Sequence, residues 1–200
     1  MKNLINFINK LKKSEIKNLI DQRINEFKTN KNWFSELCFC LMTANWKATE
    51  SIELQKELCK EGFCEWNEEK LSSYLKEKGH RFWPQRAERI ILARKYQNIK
   101  EILKEEKQPR KWLVENIKGL GYKEASHFLR NVGYNNYAIL DRHILDILTK
   151  EKIIKPVKTL TKNKYLKIEK ILENIAIKLN ITQAELDLYL WYMKTGKVLK

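Results

Sequence analysis

Two residues, Lys123 and Asp141, have the types and surroundings to do covalent chemistry. An amine attacks only when neutral, and a free lysine with a pKa near 10.4 is neutral in about one molecule in 2,500 at pH 7. A reactive lysine therefore needs surroundings that disfavour its charge. Lys123 falls in the first turn of a helix expected over about 123–132, where the positive end of the helix dipole opposes an ammonium group. A merely structural lysine is tolerated there at about 0.3–1 kcal/mol, so position alone leaves both roles open. Asp141 is one of only four aspartates and stands between apolar Ala138-Ile-Leu140 and Arg142-His-Ile-Leu-Asp146, the place of a helix N-cap. One carboxylate oxygen can cap while the other faces a site. The helix of Lys123 runs about 15 Å to a stop at Gly133. Residues 133–140 can then cover up to about 26 Å, enough to bring Asp141 back to the level of Lys123.

The segment before Lys123, Ile117-Lys-Gly-Leu-Gly-Tyr-Lys123, places two of the chain's six glycines two positions apart between helices. That density demands a special backbone turn. Such a turn, with Gly119, Leu120 and Gly121, can aim backbone N–H groups at a phosphate, gripping DNA without reading its sequence. The alternative is an ordinary αα-hairpin with glycine caps. Charge favours DNA: 40 Lys+Arg against 25 Asp+Glu give a formal +15, which points to a polyanion. Coding bias or heat adaptation would also enrich lysine.

The elements that must position these residues read as helices throughout. Apolar residues recur at helical spacing at Leu4, Phe7, Ile8 and Leu11, and at Ile16, Leu19, Ile20, Ile24 and Phe27. Residues Trp33 to Met42 are apolar nearly all round, as in a helix buried within a bundle. Further helices are expected at about 50–60, 68–78 after a cap at Asn67, 84–97 with Pro84 in the first turn, 101–106, 110–117, 142–150, 164–179 and 183–194. The last opens on the capping box Thr182-Gln-Ala-Glu185. No strand alternation is visible, so the fold class is all-α.

Six Trp, eight Tyr and seven Phe are too many aromatics for a disordered chain. The start carries no secretory cleavage pattern and no run is apolar enough to span a bilayer. A cytoplasmic, nucleoid-associated protein is expected. The four cysteines, Cys38, Cys40, Cys59 and Cys64, lack C-x-x-C spacing and read as buried thiols, so neither a metal nor another cofactor is expected. His80, His127 and His143 read as structural or close to phosphate.

The run from Gly119 to Leu145 resembles the helix-hairpin-helix-plus-Asp signature of the endonuclease III superfamily, with Lys123 at the nucleophile position and Asp141 at the catalytic carboxylate. GHRF at 79–82, Leu41-Met-Thr-Ala-Asn45 and the ending from Asp187 to Lys200 resemble the compact 8-oxoguanine DNA glycosylases. The likeness runs over essentially the whole chain. No Cys follows Cys64, so the iron–sulfur cluster of endonuclease III is not expected.

The resemblance implies a monomeric enzyme that binds double-stranded DNA containing 8-oxoguanine and flips the damaged base out. Lys123 would attack C1′ while Asp141 stabilises the developing positive charge, giving a Schiff base and then β-elimination. By the same resemblance Phe82 and Trp191 stack the extruded base, Asp187 and the terminal carboxylate of Lys200 recognise it, and Asn45 and Arg81 contact the base opposite. Asp187, Trp191 and Lys194 share one helix face at helical spacing. Two helical sub-domains are expected, residues 29–133 as a barrel ending in the hairpin and residues 1–28 with 134–200 as the second, with DNA in a cleft between them. The rival readings are a glycosylase for another lesion and a non-catalytic DNA-binding module that uses the hairpin only as a phosphate clamp.

Overall fold

A computed structural model describes residues 1–59 and 61–200 of the chain. The protein is all-helical; among the described residues there is no strand, and no helix is long and apolar enough to cross a membrane. The chain divides into two compact units, one of Met1–Asn30 with Leu129–Lys200 and one of Lys31–Phe128.

The unit of Lys31–Phe128 contains α3 (Trp33–Thr43), α4 (Ala48–Cys64), α5 (Glu68–Glu77), α6 (Trp83–Ala93) with a 3₁₀ turn after it (Arg94–Tyr96), α7 (Ile99–Glu105), α8 (Pro109–Asn116) and the greater part of α9 (Tyr122–Asn131). Its centre is α3, buried at every position except Ser35. That burial follows from a sequence apolar on all sides. Even Glu36 is buried, and it accepts from Gln55 Nε2 of α4 at 3.3 Å. Phe39 packs edge-on against His127 at 5.6 Å between ring centroids, and Trp33 does so against Phe128 at 6.3 Å, which ties α9 to α3.

The other unit holds α1 (Lys2–Leu11), α2 (Ile16–Thr29), the end of α9, α10 (Arg142–Lys150), α11 (Lys162–Leu179) and α12 (Gln183–Thr195). Thr182 closes the expected capping box: its hydroxyl accepts from Glu185 N at 3.1 Å, while the Glu185 carboxylate accepts from Thr182 N at 2.7 Å. Gly133 has φ +99°, and a Cβ there would come 3.1 Å from the Lys28 backbone, so the stop after α9 admits only glycine comfortably.

Two local expectations change. The helix expected at 50–60 runs over Ala48–Cys64 and contains a kink at Cys59, whose φ is +45°. Cys59 is exposed and Cys64 half-buried rather than buried, while Cys38 and Cys40 lie in the core and burial pushes the Cys38 thiol up.

Candidate active site and nucleic-acid interface

In the unit of Lys31–Phe128, α3 ends at Thr43 and the chain turns through Asn45, which is exposed and has φ +60°. Asparagine is among the few residues that adopt this left-handed conformation readily. Fewer than forty residues on, Gly79 at φ +73° opens the GHRF turn. His80 fixes that turn to the first one. Its Nδ1 accepts from Phe82 N at 3.2 Å, so Nε2 carries the proton and donates to Met42 O at 3.0 Å. The ring also lies on Trp46, 4.0 Å between centroids. Burial pushes the His80 pKa down, in keeping with a neutral ring.

From the start of α6, Arg86 adds a second tie, Nη2 donating to Ala44 O at 2.5 Å. Burial first, then the neighbouring Arg89, lowers its pKa to about 10. Phe82 is half-buried, with the Arg81 and Arg86 guanidinium groups 5.0 and 5.4 Å from its ring centroid. Asn45, Arg81 and Phe82 are thus carried by turns that His80 and Arg86 tie together, with guanidinium groups beside the aromatic ring.

The hairpin follows α8. Ile117 and Leu120 are buried and Leu120 N donates to Ile117 O at 3.2 Å, which closes the turn. Gly119 has φ +97°, a backbone conformation that side chains rarely adopt, so the turn favours glycine; a Cβ there would also displace the flexible Arg89 side chain, whose Cδ would lie 2.5 Å away. Ala125 N donates to Gly121 O at 2.9 Å, beginning the ladder of α9. A helix start leaves its first N–H groups without partners inside the helix, and these, with the dipole, favour an anion. Lys123 lies in this first turn, its side chain 26% exposed, with Nζ 3.4 Å from Glu124 Oε1.

In the other unit, Asp141 caps α10, its Oδ1 accepting from Ile144 N at 2.8 Å. The strap before it, Ala138–Ile139–Leu140, is buried and is held by α11. Tyr165 donates its hydroxyl hydrogen to Ala138 O at 2.6 Å and accepts from Leu140 N at 3.3 Å, while Glu169 Oε1 accepts from Ala138 N at 2.9 Å. A one-turn pair on α11 therefore sets where Asp141 begins its helix.

Two residues past Asp141, His143 meets Trp191 of α12 edge-on at 5.2 Å. Trp191 is half-buried, and its Nε1 is a buried donor with no hydrogen-bond partner among the described residues. Asp187, one turn earlier on α12, is 8% exposed and paired with Arg130. One turn after Trp191, Lys194 donates to Asp146 Oδ2 at 2.5 Å, and Lys194 and then Lys150 hold the Asp146 carboxyl below its ordinary range. Gly196, at φ +69°, ends α12, and Lys200 beyond it is half-buried.

Residues 20–181 match the model of a family described as 8-oxoguanine DNA glycosylase. The chain belongs to the 8-oxoguanine DNA glycosylase family. A curated 8-oxoguanine DNA glycosylase/AP lyase of Methanocaldococcus jannaschii is 54% identical, with 98% of this chain and 99% of that protein covered. One of Korarchaeum cryptofilum is 46% identical, covering 98% of each. Among solved structures, the M. jannaschii 8-oxoguanine glycosylase/lyase in complex with a 15mer DNA containing 8-oxoguanine matches with a TM-score of 0.95 at 52% identity, covering 98% of this chain and 99% of that one. The 8-oxoguanine DNA glycosylase of Thermotoga maritima matches with a TM-score of 0.92 at 41% identity, covering 100% and 99%.

For this member of the glycosylase family, several residues around the site gave no local sign in sequence. Glu124 stands beside Lys123 but reads as an ordinary acidic residue of a helix's first turn. Tyr165 and Glu169 read as core and surface positions of α11; only their long-range partners reveal the strap. Arg130 reads as a basic residue in the last turn of α9, which the helix dipole favours, and nothing local marks it as buried. His80, which reads in sequence as structural or close to phosphate, ties the two turns that carry Asn45 and Phe82.

Proposed function

We propose that this protein is a bifunctional 8-oxoguanine DNA glycosylase/AP lyase acting on double-stranded DNA. The observation that carries the reading is the half-buried Lys123, placed in the first turn after the Gly119–Gly121 hairpin, in a chain of this family. DNA would be held through its phosphates by the hairpin at Gly119, Leu120 and Gly121, a contact that grips without reading sequence. Asn45 and Arg81 supply donors to the base opposite the lesion. The extruded base stacks on Phe82 and Trp191, a contact worth about 1–3 kcal/mol. Asp187 and the Lys200 carboxylate accept its hydrogens. 8-Oxoguanine carries a hydrogen on N7 where guanine has a lone pair, so an acceptor there favours the lesion.

In the reaction neutral Lys123 Nζ bonds to C1′ and the C1′–N9 bond breaks, its electron pair and a proton leaving with the base. Asp141 stabilises the positive charge on the sugar and takes a proton from the amine. The sugar ring opens to a Schiff base between lysine and C1′. Loss of a C2′ proton then expels the 3′ phosphate, which nicks the strand, and water releases the enzyme. Residues 29–133 would act as the barrel that ends in the hairpin, and residues 1–28 with 134–200 as the sub-domain supplying Asp141 and the C-terminal base contacts. We place the enzyme in the cytoplasm, on the nucleoid, as a monomer.

A panel of duplexes, each with one 8-oxoguanine, thymine glycol, uracil or abasic site, tests this. Release of free 8-oxoguanine with a β-elimination nick is expected, together with cleavage of the abasic duplex. Deletion of Lys200 should slow excision of 8-oxoguanine while sparing abasic cleavage. Binding without any cleavage would return the protein to the phosphate-clamp reading, and preference for another lesion would overturn the substrate.

A further inference from the structure

Arg130, at the end of α9, is 4% exposed. Its Nη1 donates to Asp187 Oδ2, and Nε and Nη2 fork onto Asn131 Oδ1 at 3.0 and 2.9 Å. The Phe27 ring lies 5.0 Å away beneath it. All of these groups belong to the unit of Met1–Asn30 with Leu129–Lys200. Burying an arginine and an aspartate this deeply carries a desolvation penalty that the pair's attraction seldom exceeds by much, so ion pairs of this kind are poor devices for stability alone. Two further bonds to Asn131 hold the guanidinium plane in one orientation.

We propose that Arg130 is a specificity-determining positioning residue: it holds Asp187 as an ionised, acceptor-only carboxylate, and so restricts the base site to a guanine-type Watson–Crick edge. The inference rests on the reading that Asp187 contacts the flipped base. Taking the opposite charge away from a buried carboxyl group favours its protonated form, and a protonated acid presents an O–H donor. An opposite charge in contact favours the ionised form, which is an acceptor on both oxygens and no donor. The edge of a guanine-type base offers hydrogens on N1 and the exocyclic 2-amino group. An adenine-type edge offers a lone pair on N1, which an ionised carboxylate repels and a neutral acid would welcome. The 8-oxo group and the N7 hydrogen are common to 8-oxoguanine and 8-oxoadenine, so the Watson–Crick edge alone distinguishes them here, and Arg130 governs that edge through Asp187.

The test is the ratio of single-turnover excision rates on two duplexes, one with 8-oxoguanine and one with 8-oxoadenine, measured on the same preparation so that the active fraction cancels. The wild-type protein is expected to favour 8-oxoguanine. Arg130→Met should lower that ratio by about tenfold or more, the range expected for one well-formed polar contact to a base. Arg130→Gln, which keeps a donor toward Asn131, should do the same if the Met variant does not fold. Arg130→Lys should retain more of the ratio than either, because it keeps the charge. Asp187→Asn should lower the ratio as well, and combining Asp187→Asn with Arg130→Met should lower it no further. An unchanged ratio in the Arg130 variants beside a lowered one in Asp187→Asn overturns this proposal and leaves Asp187 as a base contact. Independent, multiplying losses in the double variant also overturn it, since Arg130 would then act by another route. Unchanged ratios in all variants remove Asp187 from the base site and the proposal with it.

Discussion

Replacing Tyr165 by Phe deletes one oxygen and leaves the ring in place, so it isolates the hydroxyl that holds the strap to Asp141. Tyr165 is 2% exposed. Its hydroxyl donates to Ala138 O at 2.6 Å and accepts from Leu140 N at 3.3 Å. Each such bond contributes about 0.5–1.5 kcal/mol net, with more lost where a buried group is left without its partner, so the substitution should cost about 1–3 kcal/mol. With a urea m-value of about 2 kcal/mol/M, the unfolding midpoint should fall by about 0.5–1.5 M. The functional effect is separable. Asp141 is the next residue after Leu140, and a loosened strap displaces a carboxylate whose placement the proposed chemistry requires. Misplacement by about 1 Å can cost a factor of a hundred, so the single-turnover excision rate should drop by about tenfold to a hundredfold under conditions where the variant is fully folded. Fluorescence-monitored urea unfolding and a quench-flow excision assay measure the two effects. A variant as stable and as fast as the wild type would refute the claim that α11 sets the position of Asp141.

Gly119→Ala should weaken DNA binding as well as destabilise the fold, because φ is +97°, a conformation alanine adopts only under strain; fluorescence anisotropy at one salt concentration checks this, and an unchanged affinity in a folded variant would argue against the hairpin as a phosphate contact. Burial lowers the His80 pKa below its ordinary value of 6.5, so between the folded value and about 6.5 the unfolded chain binds more protons than the folded one. Its contribution to stability is therefore present above about pH 6.5 and is lost as the pH falls through that window. Urea midpoints at pH 7.5 and pH 5 should differ less for His80→Gln than for the wild type, and an identical pH dependence would contradict the buried neutral tautomer.

Local chemistry explains what could be read from the chain alone. The helix of Trp33 to Thr43 is apolar on every side, and it lies at the centre of its unit. The glycine pair at 119 and 121 signalled a turn because its residue type answers a backbone demand, and the φ of Gly119 bears that out. Thr182 and Glu185 cap α12 because their bonds are local. Asp141 as an N-cap was visible for the same reason. Contacts between residues far apart in sequence left no such trace. Tyr165 reaches the strap 25 and 27 residues away, and Arg130 reaches Asp187 across 57 residues. At both places the residue's own neighbourhood prescribes something else, a core aromatic for Tyr165 and a solvated helix-end cation for Arg130. The kink at Cys59 was equally hidden, since no glycine or proline marks it.

The central claim is that Lys123 forms a covalent bond with the sugar of the lesion. Borohydride added during reaction with an 8-oxoguanine duplex should reduce the Schiff base and leave a protein–DNA adduct that resists denaturing electrophoresis. Lys123→Gln should yield no adduct while still binding the duplex. An adduct of undiminished yield in that variant, or none with the wild-type protein on 8-oxoguanine or abasic DNA, would contradict the account.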